Sequence, residues 1–137
     1  MLPDKIKLEI ATPESPVLDE SVDEVVLPSV QGYMGVRPGH APLLARLQPG
    51  EISFRTGTDE KVLSCTGGFA EVLGDAVSIL ATAAERAEEI DLERAEGARE
   101  RAEERLNSGS AEWDMDRAGA SLRRAVTRIQ AHGRSRG

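Results

Sequence analysis

Every proline in the 137-residue chain lies before Gly50, and from Ala83 to Ala131 the sequence is a proline-free run dominated by Ala, Glu and Arg. Proline interrupts helices and central strands alike, whereas Ala, Glu and Arg have the highest intrinsic helix propensities. One chain of this length therefore divides into a first region built of short, turn-punctuated segments and a second built of helix. Charge changes at the same place: residues 1–84 carry 6 Lys+Arg against 12 Asp+Glu, and residues 85–137 carry 11 against 12. The boundary is placed at Ala84, with domains of 1–84 and 85–137 and a disordered tail from about residue 133.

Within the first region, Ile6, Leu8 and Ile10 alternate with polar residues. Further β-rich runs follow at Val22–Leu27, Glu51–Arg55, Lys61–Ser64, Phe69–Leu73 and Ala76–Leu80. Turn signals separate them: Pro49-Gly50, Thr56-Gly57-Thr58-Asp59, Thr66-Gly67-Gly68 and Gly74-Asp75. Strands recurring every 8–12 residues or so predict a β-sandwich or barrel. In the second region the polar turn Asn107-Ser108-Gly109-Ser110 divides two helices short enough in connection to lie antiparallel. The first places Leu92, Ala95, Ala98, Ala102 and Leu106 on one face, and the second places Met115, Ala118, Leu122, Ala125 and Ile129. The predicted class is α+β, a β-sandwich followed by an antiparallel two-helix hairpin. Both helical stripes are rich in alanine and bury little area, so the hairpin must dock on another surface, and two dockings of similar free energy make a switch physically feasible.

A net charge of -7 disfavours nucleic acid and anionic lipid as partners. No run of 18 apolar residues occurs and the N-terminus is too polar for a signal peptide, which predicts a soluble chain of the cytoplasm without lipid insertion. Against this acidic background, Trp113–Gly137 holds six arginines and two acids, a local +4. That segment either seeks an acidic or phosphorylated partner or is a solvated helix face.

Candidate chemical groups have simple structural readings. Asp91-Leu92-Glu93-Arg94-Ala95 and Asp114-Met115-Asp116-Arg117-Ala118 echo each other, and each sets an Asp where it can cap a helix N-terminus. His40, in the proline- and glycine-bound loop Arg37–Leu44, reads as a structural histidine. Cys65 beside Val62-Leu63 reads as buried and inert, which leaves a cysteine enzyme as a remote alternative. Two His and one Cys supply no metal cluster, and no glycine loop is followed by Lys-Ser/Thr to hold a phosphate. No catalytic residue is assigned, and no cofactor is required.

The segments Val26-Leu27-Pro28, Gly32-Tyr33-Met34-Gly35-Val36-Arg37-Pro38-Gly39-His40-Ala41-Pro42-Leu43-Leu44, Gly67-Gly68-Phe69-Ala70-Glu71-Val72 and Ile90-Asp91-x-x-Arg94-Ala95 resemble the epsilon subunit of bacterial F-type ATP synthases over nearly the whole chain. The resemblance implies a non-catalytic central-stalk subunit that couples proton translocation to ATP synthesis on the cytoplasmic face of the bacterial plasma membrane. Its partners would be the gamma subunit, the c-ring and, through an extended hairpin, the alpha and beta subunits of the catalytic head. It further implies contact loops around Gly32, Tyr33, Met34 and His40, with Tyr33 standing where many members have Glu. Arg117, Arg123, Arg124 and Arg128 would be inhibitory-arm charges opposing ATP hydrolysis. ATP would be a regulatory ligand of the folded hairpin through Glu85, Asp91, Arg94, Arg124 and Arg128. The competing reading is a stand-alone nucleotide-sensing module of β-sandwich and helical hairpin.

Overall fold

The computed structural model describes residues 3–108 and 115–135. Ten strands come first among these residues: β1 (Ile6–Ala11), β2 (Pro16–Val22), β3 (Glu24–Ser29), β4 (Gly32–Val36), β5 (Leu43–Leu47), β6 (Gly50–Thr56), β7 (Asp59–Cys65), β8 (Gly68–Val72), β9 (Ala76–Ala81) and β10 (Ala84–Arg86). A single 3-10 turn, Ala87–Glu89, leads into α1 (Leu92–Ser108), and α2 (Met115–Ser135) completes a helical hairpin. This is the α+β order that the proline distribution predicts.

The strands pair in the order β10-β7-β6-β3-β5-β8-β9-β1-β2, with β4 also on β3. All pairings are antiparallel except β1 with β9. A single pair, Ser29 with Leu47, joins the two halves, and β2 packs back over β6 to close the sandwich. Alternation drives the closure: Ile6, Leu8 and Ile10 point inward from β1 while Lys7 and Glu9 point out, and they meet Val25, Leu27, Ile52, Leu63, Val72 and Val77 in one aliphatic core. Every buried member of that core belongs to a strand.

Five strands depart from the periodicity reading. The run Val22–Leu27 is split between β2 and β3 at Asp23, whose carboxylate accepts the Gly57 amide at 2.7 Å and pairs with Lys5. These contacts, the Lys5 hydrogen bond first, hold the Asp23 carboxyl below its ordinary range. β4 carries two glycines and β5 reads Leu-Leu-Ala-Arg-Leu without a β-branched residue, so neither shows a strand signal. β10 is only Ala84–Arg86, yet it pairs with Cys65, Ser64 and Leu63 of β7, so the sheet runs past residue 84 into the segment assigned to the hairpin. Helix α2 likewise continues through Gly133 to Ser135, beyond the expected start of a disordered tail. The Gly109-Ser110 turn and the Asp114 cap lie outside the described residues.

One glycine is indispensable to the sandwich. Gly68 sits at φ 138°, and a Cβ there would lie 2.1 Å from the Leu80 carbonyl oxygen. Gly68→Ala is expected to destabilise the sandwich by at least about 2 kcal/mol through strain and clash together. Melting followed by circular dichroism should fall by roughly 8 °C or more, and a shift under about 2 °C would contradict this.

Candidate functional site

The hairpin meets the sheet through α2, which packs against β7, β6 and the 3-10 turn as well as along α1. At this seam a small apolar cluster gathers Val62 of β7, Ala87 and Ile90 of the neck, and Ala131 of α2. One turn of α2 earlier, Arg128 reaches Glu85 of β10. Its Nη2 donates to Oε2 at 3.1 Å, and Nε lies 2.7 Å from Oε1 but off the hydrogen-bonding line. The Arg128 side chain is 18% exposed and that of Glu85 39%, so the pair is half removed from solvent. Strand alternation aims the two neighbouring charges apart: Glu85 turns to the helix, while Arg86 donates to the Val17 carbonyl of β2 at 3.2 Å.

Arg124 stands one turn before Arg128 on the same helix face and donates to Ser121 Oγ at 3.0 Å. Asp91 caps α1: its Oδ1 accepts the Arg94 amide at 3.0 Å, and its carbonyl accepts the first helical bond from Ala95. Arg94 itself is exposed. Of the five residues assigned to nucleotide by resemblance, the fold therefore joins Glu85 to Arg128 directly, sets Arg124 beside them by helical spacing, and puts Asp91 and Arg94 at the hairpin neck. Two adjacent guanidinium groups on one helix face can bind polyphosphate through charge-assisted bonds. Arg117 and Arg123 are exposed on α2.

The four contact-loop residues do not form one surface. Gly32, at φ 124°, begins β4 in a tight turn whose Ser29 hydroxyl donates to the Gly32 carbonyl at 2.6 Å. Tyr33 is 63% exposed and its hydroxyl accepts the Glu51 amide at 3.1 Å. That bond ties β4 to the start of β6 across Pro28, whose own carbonyl accepts the Gln48 amide. Met34 follows, half-buried. His40 lies past the opposite end of β4, about 13 Å along the strand from the Gly32 turn. Its loop is pinned by the Gly39 amide on the Gly74 carbonyl at 2.8 Å, and its Nδ1 is 2.7 Å from the Ala41 carbonyl, which fits a donor at Nδ1.

Periodicity alone left one surface unmarked. On the outer face of β5, β8 and β9, Leu44 is 71% exposed, Phe69 54% and Leu80 56%. Phe69 and Leu80 are register partners, and Leu44, whose own partner is Glu71, stands diagonally across β5 and β8 from Phe69; the three line a shallow depression of about 330 Å³ that also takes in Glu71 and Ser78 and reaches Glu9 and Ala11 of β1. Single exposed leucines are ordinary, but contiguous apolar groups on a sheet face mark a contact surface. The signal was present as broken alternation: Leu43-Leu44 and Ile79-Leu80 are apolar on consecutive positions, so one of each pair must face out.

Cys65 is buried, and burial pushes its thiol above the ordinary range, with the Gly67 amide opposing in part. A protonated, enclosed thiol is a poor nucleophile. Among the described residues no group of His, Cys, Asp and Glu could hold a metal, and no helix is long and apolar enough to cross a membrane.

Comparison with known proteins gives a consistent picture. Residues 5–87 match the family described as ATP synthase, Delta/Epsilon chain, beta-sandwich domain, and residues 88–133 match its long alpha-helix domain. An ATP synthase epsilon chain of Syntrophobacter fumaroxidans is 51% identical over 127 residues, covering 93% of this chain and 95% of that protein. One from Moorella thermoacetica is 49% identical over 129 residues, covering 93% and 96%. In fold, the chain superposes with a TM-score of 0.83 at 24% identity on a chain of the Euglena gracilis mitochondrial ATP synthase OSCP/F1/c-ring assembly, covering all of this chain and 84% of that one. A chain from the Tetrahymena thermophila ATP synthase central stalk and c-ring aligns at a TM-score of 0.55 and 12% identity, covering 97% of each.

Proposed function

This chain belongs to the epsilon-chain family of ATP synthases, and we propose that it is a non-catalytic rotor subunit whose sandwich anchors it in the central stalk and whose hairpin regulates ATP hydrolysis. The observation that carries this reading is an asymmetry of surfaces. The sandwich closes its own core and still offers an open apolar patch, while among the described residues the hairpin meets the sheet at a small apolar cluster and through the Glu85–Arg128 ion pair.

In this reading the Leu44, Phe69 and Leu80 face receives the gamma subunit, and the Gly32-Tyr33-Met34 end of β4 meets the c-ring, with a tyrosine hydroxyl in place of the acid common in the family. His40, at the far end of β4, belongs to the gamma side. The subunit is held peripherally on the cytoplasmic face of the bacterial membrane, where its rotation couples proton flow to synthesis. Extended, the hairpin carries Arg117, Arg123, Arg124 and Arg128 into the alpha/beta head, where acidic groups on beta favour them and hydrolysis is opposed. Folded, it binds ATP as a regulatory ligand. Arg124 and Arg128 face the phosphates, with Glu85, Asp91 and Arg94 completing the site at the neck. A ligand that binds only the folded form at a hundred times its Kd stabilises that form by about 2.7 kcal/mol, enough to move a balanced hairpin almost wholly to the folded side.

Titration calorimetry of the full chain with ATP tests the nucleotide part. A charge-assisted phosphate contact contributes roughly 1.5–3 kcal/mol, so Arg124→Ala is expected to weaken binding by about tenfold or more. Equal affinity in the variant, or no heat from the parent chain, contradicts it.

A further inference from the structure

We propose that Glu85 and Arg128 form a latch that holds the hairpin on the sandwich without any nucleotide, so that the folded state is encoded in the chain itself. The inference rests on the reading of the hairpin as a movable arm, and it adds a specific holding element to that reading.

The pair is placed where a latch has leverage. Glu85 belongs to β10, the last strand before the neck, and Arg128 belongs to the C-terminal half of α2, 43 residues later in the chain. Helix α2 is the arm that packs on β6 and β7, with α1 lying along it, so freeing α2 frees both helices together. The buried apolar cluster at the seam is slight, and among the described residues α2 contributes to it the methyl group of Ala131. Burying a methyl against Val62, Ala87 and Ile90 contributes little, whereas a half-buried guanidinium that gives a carboxylate one hydrogen bond and a second close charge contact supplies both direction and energy. Arg86 anchors the same strand to the other side of the sandwich through the Val17 carbonyl, so Glu85 is presented from a fixed position rather than from a free loop. An anion arriving at Arg128 meets a guanidinium already engaged by Glu85, and must share or displace that carboxylate.

Charge exchange separates a latch from a nucleotide contact. Amide hydrogen exchange of full-length chain without nucleotide is compared for the parent, Glu85→Arg, Arg128→Glu and the double variant Glu85→Arg with Arg128→Glu, with β1 and β9 as an internal reference for the sandwich. Each single variant places like charges at the seam and is expected to accelerate exchange in α2 around Ala125–Ala131 by about tenfold or more, leaving the reference strands unchanged. The double variant restores opposite charges and should return α2 to within about threefold of the parent. Parental exchange in both single variants, or a double variant as fast as the singles, overturns the latch. If a single variant loses the hairpin altogether, the double variant still decides, because only a direct pairing is rescued by exchange of its charges. Calorimetry on the same proteins keeps the two ideas distinct. Rescue of docking in a chain whose parent binds no ATP supports the latch and rejects the nucleotide site; ATP binding by the parent with unaltered exchange in the singles does the reverse.

Discussion

Replacing Leu44 and Phe69 together by glutamate should leave a folded protein that no longer assembles with the synthase. Both side chains are more than half exposed, so the sandwich core is untouched; a glutamate at 44 faces Glu71 unfavourably and one at 69 faces Arg46 favourably, so the two charge effects oppose each other and the melting temperature should stay near the parent value. At an interface the same changes remove two large apolar groups, each contributing about 1.5–3 kcal/mol on burial, and leave two carboxylates to be desolvated. The combined loss corresponds to an affinity decrease on the order of a thousandfold or more. Co-purification of the tagged complex from membranes reads this directly: stoichiometric recovery of the parent, and near-complete absence of the double variant. A double variant recovered at the parent's level would mean that the patch on β5, β8 and β9 faces solvent in the assembly, and that gamma docks elsewhere.

That patch also shows what a sequence can and cannot disclose. Strands β1, β6, β7, β8 and β9 were legible because β-branched or aromatic residues recur between glycine turns. β4 and β5 were not, because glycine and leucine carry no period-2 signal, and their strand state is imposed by pairing with β3 and β8. Phe69 and Leu80 were read as strand residues and Leu44 as the end of a loop, but which face is buried depends on register, and register appears only once the strands are paired. At the hairpin neck the local feature was readable: Asp91 before an apolar helical run is a cap, and it caps. The pairing of Glu85 with Arg128 was not, because it spans 43 positions and depends on how α2 lies across β7. Resemblance had gathered the two into one site, and the geometry adds that they neutralise each other there.

The regulatory role proposed for the hairpin is tested by its deletion. The core of the sandwich draws all of its buried residues from strands, so a chain ending after Ile90 keeps that core, keeps β10 on β7, and keeps Ala87 and Ile90 over Val62. Such a chain loses both helices and every arginine of the arm, but none of the Leu44, Phe69 and Leu80 patch and neither end of β4. It is therefore expected to fold, to enter the complex and to support proton-driven synthesis, while losing the arm proposed to oppose hydrolysis.

Steady-state ATP hydrolysis and proton-driven ATP synthesis by membranes carrying this truncation, measured beside the full-length chain at equal incorporation, decide whether the hairpin is a regulatory arm separate from the coupling body. Retained synthesis with hydrolysis raised several-fold is the predicted result. Hydrolysis equal to that of the full-length complex at every ATP concentration would contradict a regulatory role for the hairpin, and lost synthesis despite full incorporation would contradict its separation from the coupling body.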